Sequence, residues 1–219
     1  MRGLPLSGLV LIAANLIPLV GVVAFGWRVI DILWLYWAEN VVIGLLNIPR
    51  ILSARGDSLD EHPRTGFFGA VFIAVFFCIH YGMFTFGHGI FIAEVFGMES
   101  AAGDIGEDVG VLVAKLADPA LRIALLGLFA SHALSLVVNW FGRGERFKHD
   151  ARAQMFSVYG RIVILHLVVL LGGIGAQSLG EPIIALILLV ALKTAIDLLA
   201  HIRSHKRLAE RGAPPGVFS

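Results

Sequence analysis

Cysteine and charge are what this sequence has least of. Cys78 is the one cysteine in 219 residues, so no intrachain disulfide forms and a thiolate zinc site is excluded. It sits inside an apolar run, where its expected role is that of a small packing residue. Charged residues occupy 15% of positions, against about 25% in an average soluble domain. That deficit excludes a fully water-facing surface. The charges lie between long apolar runs and are nearly absent within them. A formal net charge of +1 implies no strongly basic or acidic partner, and no nucleic acid is expected. There is no internal repeat and no low-complexity tract.

What is present is hydrophobic length. Hydrophobic residues make up 58% of the chain, and a membrane-crossing helix needs about 20 in succession. Six segments qualify, at about 4–25, 29–52, 66–96, 119–141, 156–177 and 182–203. The first has Arg2 and a Val22-Val23-Ala24 sequence like a signal peptide. Its apolar stretch exceeds the roughly 7–15 residues of a signal core, so it reads as a retained helix. Asp118-Pro119 and Glu181-Pro182 each place a capping carboxylate before a proline at the first helical position. The stretch 104–117 is too short to span and reads as an amphipathic surface helix. The third segment is longer than a bilayer requires, so it must tilt, project or bend near Gly82, Gly87 and Gly89.

Orientation follows from Lys and Arg. Arg50, Arg55 and Arg64 follow the second segment. Arg143, Arg146, Lys148 and Arg152 follow the fourth, and Arg203, Lys206, Arg207 and Arg211 follow the sixth. The connection after the third segment is acidic, with Glu99, Asp104, Glu107, Asp108 and Asp118 against Lys115. Basic and non-basic connections alternate. The expected fold is therefore an all-α polytopic membrane bundle of six transmembrane helices with both termini in the cytoplasm. Residues 1–208 would form the membrane domain and 209–219, with Pro214-Pro215, a disordered tail.

Polar side chains within apolar segments carry the functional signal, because a polar group in hydrocarbon needs an interior partner. Tyr36, Asn40 and Asn47 share one face of the second segment. His132, Ser135 and Asn139 share one face of the fourth, and Tyr159 and His166 lie on one stripe of the fifth. At 1.5 Å per residue, Glu39, His132 and His166 lie about 15–20 Å from the outer ends of their segments. His80 and His88 bracket that level on the third. Glu39, His80, His88, His132 and His166 therefore form a candidate ligand set for a transition metal such as iron, zinc or copper. Glu39 would be a ligand or a general base. Glycines beside His80 and His88 also suit a haem b with axial histidines. A proton relay or carrier using the same residues is an alternative. A scaffold whose polar stripes only join helices is another. Asp197, with Lys193 and His201 four residues away on either side, reads as locally paired. Trp34, Tyr36, Trp37 and Trp140 read as interfacial anchors.

Two stretches carry a resemblance. Tyr36-Trp37-Ala38-Glu39-Asn40-Val41-Val42, and His80-Tyr81-Gly82-Met83-Phe84-Thr85 followed by His88-Gly89, resemble a bacterial multi-pass membrane family catalogued as a domain of unknown function. The resemblance implies a bacterial inner-membrane protein and supplies no activity, cofactor or substrate. No rhomboid-type G-x-S-G serine motif is present, and no clustered histidine boxes of membrane desaturases. The lipid bilayer is the expected partner, with a homo-oligomer as an open option.

Overall fold

A computed structural model describes residues 26–56, 65–96 and 104–167. The chain divides into two compact units, residues 1–28 with 170–219 and residues 29–169. All the described helices belong to the second unit. The expected first and sixth spans, the fifth beyond residue 167, Glu181-Pro182, Arg64, the Asp197 cluster and the tail lie outside the described residues.

Among the described residues every regular element is helical. Helix α1 is Val29–Ser53 and α2 is Phe67–Phe96. A short α3, Ile105–Ala114, is followed by a tight turn at Lys115–Ala117. Helix α4, Pro119–Ser135, continues into wider π-helical turns at Leu136–Gly142. Helix α5 is Ala151–Ser157, and after a turn at Val158 a further helix, α6, covers 159–167. Asp118 caps α4 as its sequence suggests, accepting from the Ala120 and Leu121 amides at 2.7 and 3.2 Å ahead of Pro119. Asp104 does the same for α3. Gly144 turns the chain after α4 with φ of 72°, a conformation that suits glycine.

Among the described residues, three helices are long and apolar enough to cross a membrane: Ile30–Ser53, Phe67–Phe96 and Pro119–Gly142. Their surfaces differ. Helix α1 is the central one and buries 61% of its apolar window, whereas α4 buries 6%. Ile123, Leu126 and Leu134 on α4, and Phe68, Phe72 and Ile79 on α2, are all well exposed. An apolar surface of that extent suits lipid and not water. Cys78 is also exposed, on α2, so the small-packing-residue expectation is corrected. It faces outward because its turn of the helix points Phe77, not Cys78, into the core.

Contacts give the helix directions. Trp37 donates to the Thr85 carbonyl at 2.7 Å and Tyr81 donates to the Asn40 carbonyl at 3.1 Å, so α1 and α2 run antiparallel. Along α1, Trp34 meets Leu112, Glu39 meets His132 and Ser53 meets Trp140, so α4 runs parallel to α1. His80 meets Tyr159 and His88 meets His166, so α6 runs parallel to α2. Successive long helices therefore alternate in direction. Arg50, Arg55, Arg143, Arg146, Lys148 and Arg152 gather toward one end of the bundle. Asp31, Asp104, Glu107, Asp108 and Asp118 gather toward the other.

Helix α2 stays helical through all three glycines and, at 30 residues, runs about 45 Å. Gly89 has a packing reason. A Cβ there would stand 2.9 Å from the Trp37 indole. Gly89→Ala is expected to displace Trp37 and cost about 1 kcal/mol, the low end for overpacking. Gly87→Ala, where nothing lies within 4 Å, is the control, with thermal unfolding in detergent as the measurement. Equal midpoints for the two variants would show that the indole gives way freely.

Candidate functional site

The interior polar residues sit on the faces that spacing predicts. Tyr36, Asn40 and Asn47 are 7%, 6% and 1% exposed, on the buried face of α1. Asn47 and Gln154 are bonded twice: Gln154 Nε2 donates to Asn47 Oδ1 at 2.7 Å, and Asn47 Nδ2 donates to the Gln154 backbone carbonyl at 3.4 Å. Asn139 bonds Ser135 at 3.3 Å on α4.

The five predicted site residues fall into three groups. The first joins three helices. Glu39 Oε1 of α1 lies 3.3 Å from His132 Nε2 of α4 and 3.2 Å from Arg161 Nη1 of α6. The carboxylate is largely covered, with a side-chain exposure of 16%, while Arg161 is 51% exposed. A buried carboxylate needs compensating positive charge, and Arg161 supplies it. Glu39 is nine residues inside α1 from Ile30, about 14 Å along the axis, or roughly half the ~30 Å thickness of a bilayer's hydrocarbon core.

The second group is a histidine pair. His88 Nδ1 lies 2.6 Å from the Phe84 carbonyl, which can only accept, so this nitrogen carries a proton. His88 Nε2 lies 2.8 Å from His166 Nδ1. With both rings neutral, His166 donates and its Nε2 remains an acceptor. The rings meet edge to face, 5.0 Å apart. The third group is His80 Nδ1 with the Tyr159 hydroxyl at 2.9 Å. Tyr159 also packs edge-on to Tyr81 and Phe77, which fixes its ring.

The structure thus pairs Glu39 with His132 and His88 with His166, and it gives His80 to Tyr159. Among the described residues no three His, Cys, Asp or Glu side chains converge as a metal site. Chemically, the groups offer hydrogen-bonded proton donors and acceptors at successive levels along α2 and α6.

The family's sequence profile matches residues 2–214. The chain belongs to DUF6498, a family of unknown function. The resemblance carried by 36–42 and 80–89 thus extends over nearly the whole chain. No curated protein and no solved structure matches it.

Those two family-like stretches face each other in the fold: Trp37, Asn40 and Tyr81 join α1 to α2. The tryptophans correct the interfacial-anchor expectation. Trp34 is 2% exposed and donates to the Leu112 carbonyl at 2.8 Å; Trp140 is 2% exposed and donates to Ser53 Oγ at 2.8 Å. Short helices and loops cover these ring positions, so the indoles bond protein and not headgroups. Sequence reasoning missed Arg161 and Gln154. Arg161 lies five residues inside the apolar run starting at Phe156, and a cation at that depth is itself a signal. Gln154 precedes the run and carries no such mark.

Proposed function

We propose that this chain is a six-span protein of the bacterial inner membrane, with both termini cytoplasmic, that moves protons through interior titratable groups as a small proton-coupled carrier. The observation that carries this reading is Glu39 held between His132 and Arg161, three side chains from three helices meeting at one oxygen. Glu39 and His132 are close enough to exchange a proton. Protonating Glu39 also weakens its hold on Arg161, which links proton uptake to the contact between α1 and α6. Arg161 and His166 are exposed on α6. An ionisable group within a span faces the bundle interior or a watery cavity, so the relay is supplied with protons from that side.

A metal is the second reading, favoured by His88. Its Nδ1–H donates to a backbone carbonyl, the orientation that metal-bound imidazoles adopt. His88 Nε2 and His166 Nδ1 would be the ligands. A haem iron between them would require about 4 Å between the two nitrogens, twice a metal–nitrogen bond of ~2 Å. They stand 2.8 Å apart.

Purified protein in sealed vesicles tests the proposal. Under a potassium diffusion potential, a lumenal pH dye should report faster proton entry than in protein-free vesicles. Background flux, together with stoichiometric iron, zinc or copper in the purified protein, would transfer support to the metal reading.

Orientation has its own check. In a Cys78→Ser background, Val113→Cys should react with an impermeant maleimide on intact cells, and Lys148→Cys only after permeabilisation. Charge asymmetry motivates this assignment. The reverse labelling pattern would invert the proposed topology.

A further inference from the structure

The basic end of the bundle takes no part in the relay. Arg50 and Arg55 come from the end of α1 and just beyond it, Arg143 and Arg146 follow α4, Lys148 lies on the approach to α5 and Arg152 in its first turn. Two acids lie among them, Glu145 and Asp150, and Asp150 accepts from the Arg152 amide as the cap of α5. Among the described residues, none of the six cations forms a carboxylate ion pair. Lys115 and Arg161 elsewhere both do.

Aromatic rings lie against two of these guanidinium groups, Arg50 and Arg146, while Arg143 donates to Asn139 Oδ1 at 3.1 Å. Arg50 lies 5.9 Å from the Trp140 ring centre. Arg146 lies 4.7 Å from that of Phe147 and 5.8 Å from that of Phe141. Trp140 is itself fixed by Ser53 and stacks on His149. The Arg55 amide donates to the Arg146 carbonyl at 2.6 Å and the Gly56 amide to the His149 carbonyl at 3.0 Å, which ties the loop after α4 to the end of α1. Arg50 and Arg146 are therefore preorganised, and among the described residues neither forms a carboxylate ion pair. Phe141 and Phe147 beside them are 41% and 58% exposed.

Cations that form no carboxylate ion pair among the described residues, beside exposed rings at the end of membrane-length helices, match one amphipathic ligand. The geometry points to a binding site for an anionic phospholipid, with Arg50 and Arg146 at the headgroup phosphate and Phe141 and Phe147 against an acyl chain. A free phosphate would use the cations and leave the rings idle. Basic clusters at the cytoplasmic ends of spans recognise such headgroups in general. The site depends on the protein spanning a membrane and not on proton movement, so either idea can fail alone.

The test uses the full chain in a mild neutral detergent, titrated with phosphatidylglycerol, cardiolipin, phosphatidylcholine or inorganic phosphate. Bound lipid is counted by native mass spectrometry and unfolding is followed thermally. Expected are retained phosphatidylglycerol and cardiolipin adducts, raised midpoints, and retention about tenfold or more above phosphatidylcholine. Arg50→Gln with Arg146→Gln should lose that preference, while Arg122→Gln, a single charge loss at the other end of α4, should keep it. Equal retention of phosphatidylcholine, or the same preference in the double variant, would overturn the site. An equal midpoint rise with inorganic phosphate would reassign it to a free anion and overturn the lipid. If the double variant fails to fold, the wild-type comparison of the four ligands decides alone.

Discussion

Glu39→Gln in vesicles is expected to slow proton flux about 100-fold, at the lower end of what a positioned proton-transfer group contributes. Glutamine has nearly the shape of glutamate, and its carbonyl oxygen can still accept from Arg161 and His132. It cannot take up and release a proton. The variant therefore separates proton exchange from helix joining. The fold should survive, because Arg161 is half exposed and can hydrate when its anionic partner is lost. His132→Ala should also slow flux, since it removes the imidazole that stands 3.3 Å from that carboxylate. Wild-type flux in a well-folded Glu39→Gln protein would sink the relay. A scaffold role would then fit better, since polar contacts joining helices do not need a titrating carboxylate.

The second large effect concerns stability. Asn47→Leu is expected to cost about 2–3 kcal/mol, read from unfolding in mixed detergent, because an orphaned polar group costs roughly 1–3 kcal/mol. Asn47 is 1% exposed and Gln154 is 5% exposed, so leucine at 47 leaves a buried amide without its partner. The bond itself contributes less, because interhelical hydrogen bonds in membranes average about 0.6 kcal/mol. The penalty for the orphan therefore dominates. It follows that Asn47→Leu with Gln154→Leu should recover much of the single loss. A double variant whose loss equals the sum of the two singles would show that the amides act independently, against the observed pairing at 2.7 Å.

Much of the described fold was legible in sequence because its signals are local. A run of apolar residues bounded by Asp118-Pro119 on one side and Gly142 on the other is readable without a partner helix. The observed α4 with its π-helical turns begins at Pro119 and ends at Gly142. The polar faces of α1, α4 and α6 were legible for the same reason, since the helical repeat alone brings Asn40 and Asn47 to one side. The wider turns of Leu136–Gly142 left no such mark. Nor did burial of Trp34 and Trp140, which depends on α3 and on Ser53 reaching the indoles.

The candidate site divides along the same line. Sequence alone determined which residues would be costly in a membrane-crossing helix, Glu39 and four histidines, and where each stands along its helix, because that position follows from counting residues. Only the tertiary structure decided their partners. Counting along helices says nothing about rotation between them, so a single layer of five ligands and three separate pairings read alike in sequence. Packing of α1 against α2, α4 and α6 resolved this, giving Glu39 to His132 and Arg161, His88 to His166, and His80 to Tyr159. Arg161 is the decisive case. Its depth inside an apolar run marks it as costly, and only the approach of α6 to α1 makes it the counter-charge of Glu39.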